Sequence, residues 1–178
     1  NRDYYIHTAI TNVYYGINSN RIEYLKTCMS FFGNEKIANF GKAFRNQKLK
    51  TKHHDQLPPN AYFGFAMENS IAEYRITEKL FLTYRNDVIP IYRGSVKNRE
   101  ILKSYGINLN AFIDASDMTP FQLVNYLDEL IKEEGKKKLY EIYSQPLIPD
   151  KKFFDLQLKN NLQNILNTLD RLYKWLFD

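Results

Sequence analysis

The stretch Tyr62 to Lys79, YFGFAMENSIAEYRITEK, decides how the rest of the chain is read. Its first part, Tyr62-Phe63-Gly64-Phe65-Ala66-Met67, is apolar and aromatic and predicts a buried strand. Polarity jumps at Glu68-Asn69-Ser70, a charged crossing follows, and from Thr77 through Lys79 and Leu80 the pattern turns helical. A strand, a polar crossing and a helix start are a common frame for a phosphate site in α/β proteins. Ser70-Ile71-Ala72-Glu73 also fits a capping box, which allows an earlier helix start.

Working outward, Tyr4 to Thr11 predicts a first strand ending at Asn12, followed by a loop with Gly16, Asn18, Ser19 and Asn20. A helix then opens at Asn20-Arg21, carries Ile22, Leu25, Cys28 or Met29 and Phe32 inward, and stops at Gly33-Asn34. Lys36 to Gly41 is short and strand-like. Lys42 to Asn60, with its lysines, His53-His54-Asp55 and Pro58-Pro59, predicts a basic surface connection.

Beyond Lys79 the helix is expected to reach about Arg85 and to turn at Asn86-Asp87. Val88 to Tyr92 predicts a β-branched strand ended by Gly94-Ser95, Lys97 to Tyr105 a short helix, and Ala111 to Asp114 a last short strand. Thr119-Pro120 opens a helix with Thr as N-cap and Pro in the first turn. Gly135 interrupts it, and a shorter helical piece carries Leu139 to Tyr143. After Pro146 and Pro149, Leu158, Leu162, Ile165, Leu166, Leu169, Leu172, Tyr173 and Leu176 make a helical stripe. Its length suits core packing, a contact in a homodimer, or a return onto another domain. Alternating strands and helices predict an α/β fold, a Rossmann-like parallel sheet with helices on both faces.

The chain has 178 residues, 44% of them hydrophobic, which suits a single packed domain and opposes disorder. No apolar run is long enough to span a bilayer. No signal peptide is visible, and the start lacks Met, so a fragment is expected. Cys28 is the only cysteine, which excludes an internal disulfide and favours a reducing, cytoplasmic compartment. The net charge of +5 suits an anionic ligand without demanding nucleic acid. His53-His54-Asp55 reads as solvated rather than metal-ligating, and Asp114-x-x-Asp117 is not a D-x-D cation motif, so no metal site is expected.

Phe65-x-x-Glu68-Asn69-Ser70, then Ile76-Thr77-Glu78-Lys79-Leu80, then Ile89-Pro90-Ile91 and Gly94-Ser95, resembles in order and spacing the donor-binding half of the α-1,3/α-1,4-fucosyltransferases. The resemblance implies the C-terminal half of a two-domain GT-B glycosyltransferase. Residues 1–150 would form the Rossmann-like GDP-fucose domain. Residues 151–178 would form a helix packing on it or returning to a missing acceptor domain. The implied reaction is inverting transfer of L-fucose from GDP-β-L-fucose to a hydroxyl of an N-acetylglucosamine-containing glycan, with no cofactor required. The general base would belong to the absent N-terminal domain, so the chain alone would bind donor and turn over slowly or not at all.

A sugar nucleotide needs cations for its diphosphate and an acceptor for its ribose hydroxyls. Lys79 supplies a charge beside a helix start, and Glu78 a carboxylate able to take two hydroxyls. The resemblance gives them the diphosphate and the ribose respectively. Arg21 matches the Arg that opens the helix after the first strand; Lys79 and Arg21 would together stabilise the leaving GDP without a metal. Asn69 matches a donor-contacting position, and Glu68 reads equally as donor contact or as a structural acceptor for loop N–H groups. The family pattern has Tyr two residues before the Thr of T-E-K, whereas this chain has Arg75 there and Tyr74 one place earlier. Either Arg75 places a charge on the phosphate or Tyr74 does the work from a shifted loop. The alternatives are a non-catalytic nucleotide-sugar or glycan-binding module, which the Arg75 departure favours, and a basic nucleic-acid-binding domain. The latter is motivated by a pI near 9.1 and 14 Tyr and 12 Phe residues, although the aromatics lie within apolar runs.

Overall fold

The structure, a computed structural model, describes residues 2–10, 20–42, 44–47, 57 and 60–177, with side chains described as far as residue 169. The chain forms β1 (Tyr4–Thr8), α1 (Arg21–Phe32), β2 (Ile37–Asn39), β3 (Ala61–Met67), α2 (Lys79–Arg85) and β4 (Ile89–Arg93). It continues with α3 (Asn98–Ser104), β5 (Ile113–Asp114), α4 (Pro120–Ile131), α5 (Lys136–Tyr143) and α6 (Lys151–Phe177). The strands make one 5-stranded sheet in the order β2-β1-β3-β4-β5, with every pairing parallel. This is the doubly wound arrangement that the strand–helix alternation predicts.

Alternation along β3 divides the core between the two faces. Phe63 packs with Ile6, Leu25, Cys28, Ile91, Leu123 and Leu127, beneath α1 and α4. Ala66 lies on the opposite side with Leu80, Tyr92, Leu102 and Phe112, beneath α2 and α3. Gly64 faces that second side by the same alternation, and its lack of a side chain lets β3 pass close to its neighbours. A Cβ there would meet His7 Nε2 at 2.5 Å and a Thr83 methyl at 2.6 Å.

Local chemistry sets the element ends. Gly33, at φ 88°, closes α1 and donates its N–H to the Met29 carbonyl at 3.1 Å. Thr119 caps α4 in a reciprocal box: its hydroxyl accepts from Gln122 N at 3.2 Å, and the Gln122 amide oxygen accepts from Thr119 N at 2.8 Å.

Several boundaries differ from the sequence reading. β1 ends at Thr8, short of the predicted Thr11, and residues 11–19 lie outside the described residues. The Ser70 capping box does not form, because Ser70 Oγ accepts from Arg75 Nη1 at 3.0 Å within an irregular crossing. α2 begins at Lys79 rather than Thr77, whose N–H and hydroxyl are both taken by Glu68. The strand predicted from Ala111 is reduced to Ile113–Asp114, because Leu109–Ala111 forms a 3-10 turn capped by Asn108. His53-His54-Asp55 and the surrounding lysines lie outside the described residues.

α6 is anchored at its start, where the Phe154 ring sits 6.1 Å from Phe81 and 6.3 Å from Tyr105. Asn161 donates to the Tyr105 hydroxyl. Leu158, Leu162, Ile165, Leu166 and Leu169 are exposed, so the described part of the predicted stripe is not core here. No helix among the described residues is long and apolar enough to cross a membrane.

Candidate functional site

In a sheet of this order the chain leaves β1 toward one edge and β3 toward the other, which opens a crevice at their carboxyl ends. The candidate residues converge on that point. Arg21 is the first residue of α1 and is 8% exposed, while Asn69 lies just past β3. Arg21 Nη1 donates to Asn69 Oδ1, so one contact spans the crevice. Burial lowers the Arg21 pKa, yet a guanidinium has ample margin and stays charged.

Glu68 is 1% exposed and ties down the far end of the crossing. Its Oε1 accepts from Thr77 N at 2.9 Å and its Oε2 from Thr77 Oγ1 at 2.6 Å, while its own N–H bonds to Arg93 O at 2.9 Å. Both carboxylate oxygens are thus turned toward the loop, the structural alternative weighed for this residue. Lys79 Nζ stands 3.9 Å from Glu68 Oε2, 3.1 Å from Thr77 Oγ1 and 3.4 Å from Glu78 Oε1. The Glu78 carboxylate is largely in solvent, available to an incoming hydroxyl. A backbone hydrogen bond and the adjacent Lys79 ammonium hold Glu78 below the usual carboxylate range against a smaller desolvation cost.

Between these anchors Tyr74 occupies the left-handed region at φ 60°, and its ring is 61% exposed. Arg75 is exposed, with its guanidinium on Ser70, and its backbone carbonyl accepts from the buried Asn98 side chain at 2.8 Å. The structure therefore brings together Arg21, Glu68, Asn69, Glu78 and Lys79 around the switch point, with Tyr74 and Arg75 on the loop between Asn69 and Glu78.

Sequence reasoning passed over several residues here. Thr77 is the residue that Glu68 grips. Arg93, at the end of β4, lies with its guanidinium carbon 4.8 Å above the Tyr24 ring, beside the first turn of α1. Asn98 is fully buried behind the loop. A charged residue ending an apolar strand marked Arg93; nothing in the sequence marked Asn98. Asp114 and Asp117 both accept from Arg99, with Asp117 contacts at 2.7 and 3.1 Å, so this pair clamps α3 to the end of β5. Among the described residues no group of His, Cys, Asp and Glu could hold a metal ion. A cavity of about 360 Å³ lined by Tyr62, Ile89, Ile131 and Leu139 lies by the amino ends of β3 and β4, away from the crevice.

The fold and site together define a doubly wound α/β domain with a cation-lined crevice at its switch point. The C-terminal profile of glycosyltransferase family 10 (fucosyltransferase) matches residues 5–168, and the chain belongs to that family.

Proteins named GDP-fucose protein O-fucosyltransferase 3, from Canis lupus familiaris and Homo sapiens, are each 25% identical over 135 residues, which is 70% of this chain. The chain spans 26% of their length. Crystal structures of an alpha1,3-fucosyltransferase share the fold. The form with GDP-fucose superposes at TM-score 0.64 and 18% identity, over 81% of this chain and 39% of that one. The form with GDP superposes at TM-score 0.65 and 17% identity, with the same coverage of each chain.

Proposed function

We propose that this chain is the donor-binding half of a fucosyltransferase, holding GDP-β-L-fucose for inverting transfer to a hydroxyl of an N-acetylglucosamine-containing glycan. The observation that carries the reading is the meeting of Arg21 and Asn69 across the switch point, with Glu78 at the N-cap of α2 and Lys79 as its first residue. The solved relatives crystallised with GDP-fucose and with GDP support the choice of nucleotide.

In this reading Arg21 and Lys79 bind the diphosphate and Glu78 accepts from the ribose hydroxyls. Asn69 orients Arg21 and reaches the donor, and Tyr74 and Arg75 close over it. As the bond from the sugar carbon to the diphosphate oxygen breaks, negative charge grows on that oxygen. Fixed cations stabilise that charge more in the transition state than in the ground state. The acceptor hydroxyl attacks from the opposite face of the sugar and loses its proton to a carboxylate base. We place that base, with the acceptor site, in a second domain of the whole protein. Glu68 is committed to Thr77 and Glu78 lies on the donor side, so neither is assigned that task.

A second reading concerns the acceptor. The curated relatives are named for fucosylation of protein, which favours a protein hydroxyl over a glycan hydroxyl.

Calorimetric titration with GDP-fucose, GDP and UDP, beside Glu78→Ala and Lys79→Ala, tests the donor assignment. Binding of both guanine ligands but not UDP, weakened by each substitution, is expected. A folded chain that discriminates no guanine nucleotide would overturn it.

A further inference from the structure

We infer that Asn98 is a positioning residue of the donor site, holding the 69–78 crossing in the strained form that presents Tyr74. The inference rests on the donor-domain reading for its functional meaning.

Asn98 is 0% exposed at the first position of α3. Its Nδ2 donates to the Arg75 carbonyl at 2.8 Å and to the Tyr92 hydroxyl at 2.9 Å. A carbonyl can only accept, so the amide cannot be reversed at this site. Tyr92 is 1% exposed, and burial pushes its phenol up to about 12, so it remains neutral. Gly94 leaves the room the pair occupies: a Cβ there would stand 2.4 Å from the Tyr92 oxygen and 2.9 Å from Asn98 Nδ2.

Asn98 Oδ1 is buried without a hydrogen-bond partner. An orphaned buried acceptor works against stability, so an apolar side chain would suit the core better at this position. What Asn98 does is grip the carbonyl one residue after Tyr74, the residue at φ 60°. A bulky residue holds that conformation only where its surroundings over-determine it. Here the surroundings are Asn98 on Arg75 and Glu68 on Thr77, both closing directly after the strained residue. The result is an exposed Tyr74 on the loop that joins Asn69 to Glu78.

The bond that Asn98 holds is also the one trypsin would cut, Arg75–Ile76. The folded full chain is digested and cleavage at that bond followed by mass spectrometry, for wild type, Asn98→Ala and Tyr92→Phe. Cleavage that tracks the open population rises about tenfold or more in Asn98→Ala, and less in Tyr92→Phe, with cleavage after exposed Lys132 unchanged. An unchanged rate at Arg75 overturns the proposal, and Tyr92→Phe carries the test should Asn98→Ala fail to fold. The second arm is a double-mutant cycle on GDP-fucose affinity with Asn98→Ala and Tyr74→Ala. Each single change is expected to weaken binding about tenfold, and the pair no more than the worse single. Additive losses would overturn the coupling. If wild type binds no guanine nucleotide, the donor reading fails while the cleavage arm still decides whether Asn98 holds the loop.

Discussion

Arg21 and Asn69 lie 48 residues apart, yet the guanidinium of one donates to the carboxamide of the other. The contact joins the first turn of α1, which follows β1, to the segment just past β3; β1 and β3 are the neighbouring strands at which the strand order reverses. It holds a cation at the mouth of the crevice without neutralising it, because an amide oxygen carries no net charge.

That distinction can be measured. Asn69→Asp is expected to hurt GDP-fucose binding more than Asn69→Ala, since a carboxylate would form an ion pair with Arg21 and oppose the diphosphate. Arg21→Ala removes charge-assisted hydrogen bonds of about 1.5–3 kcal/mol, so affinity falls roughly 10- to 150-fold. Titration calorimetry checks the order; an Asp variant that binds as well as wild type would contradict it.

Glu68→Ala should act on the fold before it acts on the ligand. The carboxylate accepts twice from Thr77, and truncation removes both acceptors, leaving the Thr77 N–H without its partner. A loss of about 2–3 kcal/mol is expected, a fall in Tm of roughly 4–12 °C for a domain of this size. Scanning calorimetry reads this directly, and an unaltered Tm would remove Glu68 as the anchor of the loop.

The Arg99 clamp gives the acid limb of stability a definite sign. The hydrogen bond from Arg99, outweighing a smaller desolvation effect, holds the Asp117 carboxyl below the usual aspartate range. A depressed folded-state pKa contributes stability that is complete above the unfolded value of about 4 and is lost as pH falls through the folded value. Asp117 is largely exposed, so solvent screening keeps its part within about 1 kcal/mol. Urea titrations of wild type and Arg99→Ala should therefore converge below about pH 4. Curves that stay parallel across that range would exclude the clamp as their cause.

Cys28 should be silent in the folded protein. It is 0% exposed among Ile6, Leu25 and Ile37, and desolvation pushes its thiol up to about 12. Since the thiolate is the reacting form, an aromatic disulfide reagent at pH 8 should label it only at the rate of unfolding. Rapid labelling of native protein would mean that α1 does not seal that face.

Much of the architecture was legible in local pattern. The apolar run at Tyr62–Met67, the β-branched Val88–Tyr92, Gly33 after an amphipathic helix and the Thr119-Pro120 helix start each depend on near neighbours, and each appears as expected. The order Glu68-Asn69-Ser70 then Thr77-Glu78-Lys79 likewise pointed to the family. The last strand was shortened by a neighbouring 3-10 turn at Leu109–Ala111, and two helix starts failed because groups several residues away engaged them. Ser70 does not open a helix and Thr77 does not begin one, since their hydroxyls are engaged by Arg75 and Glu68.

The sequence by itself determined the alternation of strands and helices, the position of the polar crossing, and which cations and carboxylates stand near it. Periodicity and turn chemistry are short-range properties that a linear reading can detect. Only the tertiary structure decided that Glu68 faces the loop, that Arg21 meets Asn69, and that Asn98 reaches Arg75. Those contacts follow from strand order and parallel register, which bring together residues far apart in the chain and carry no local signature.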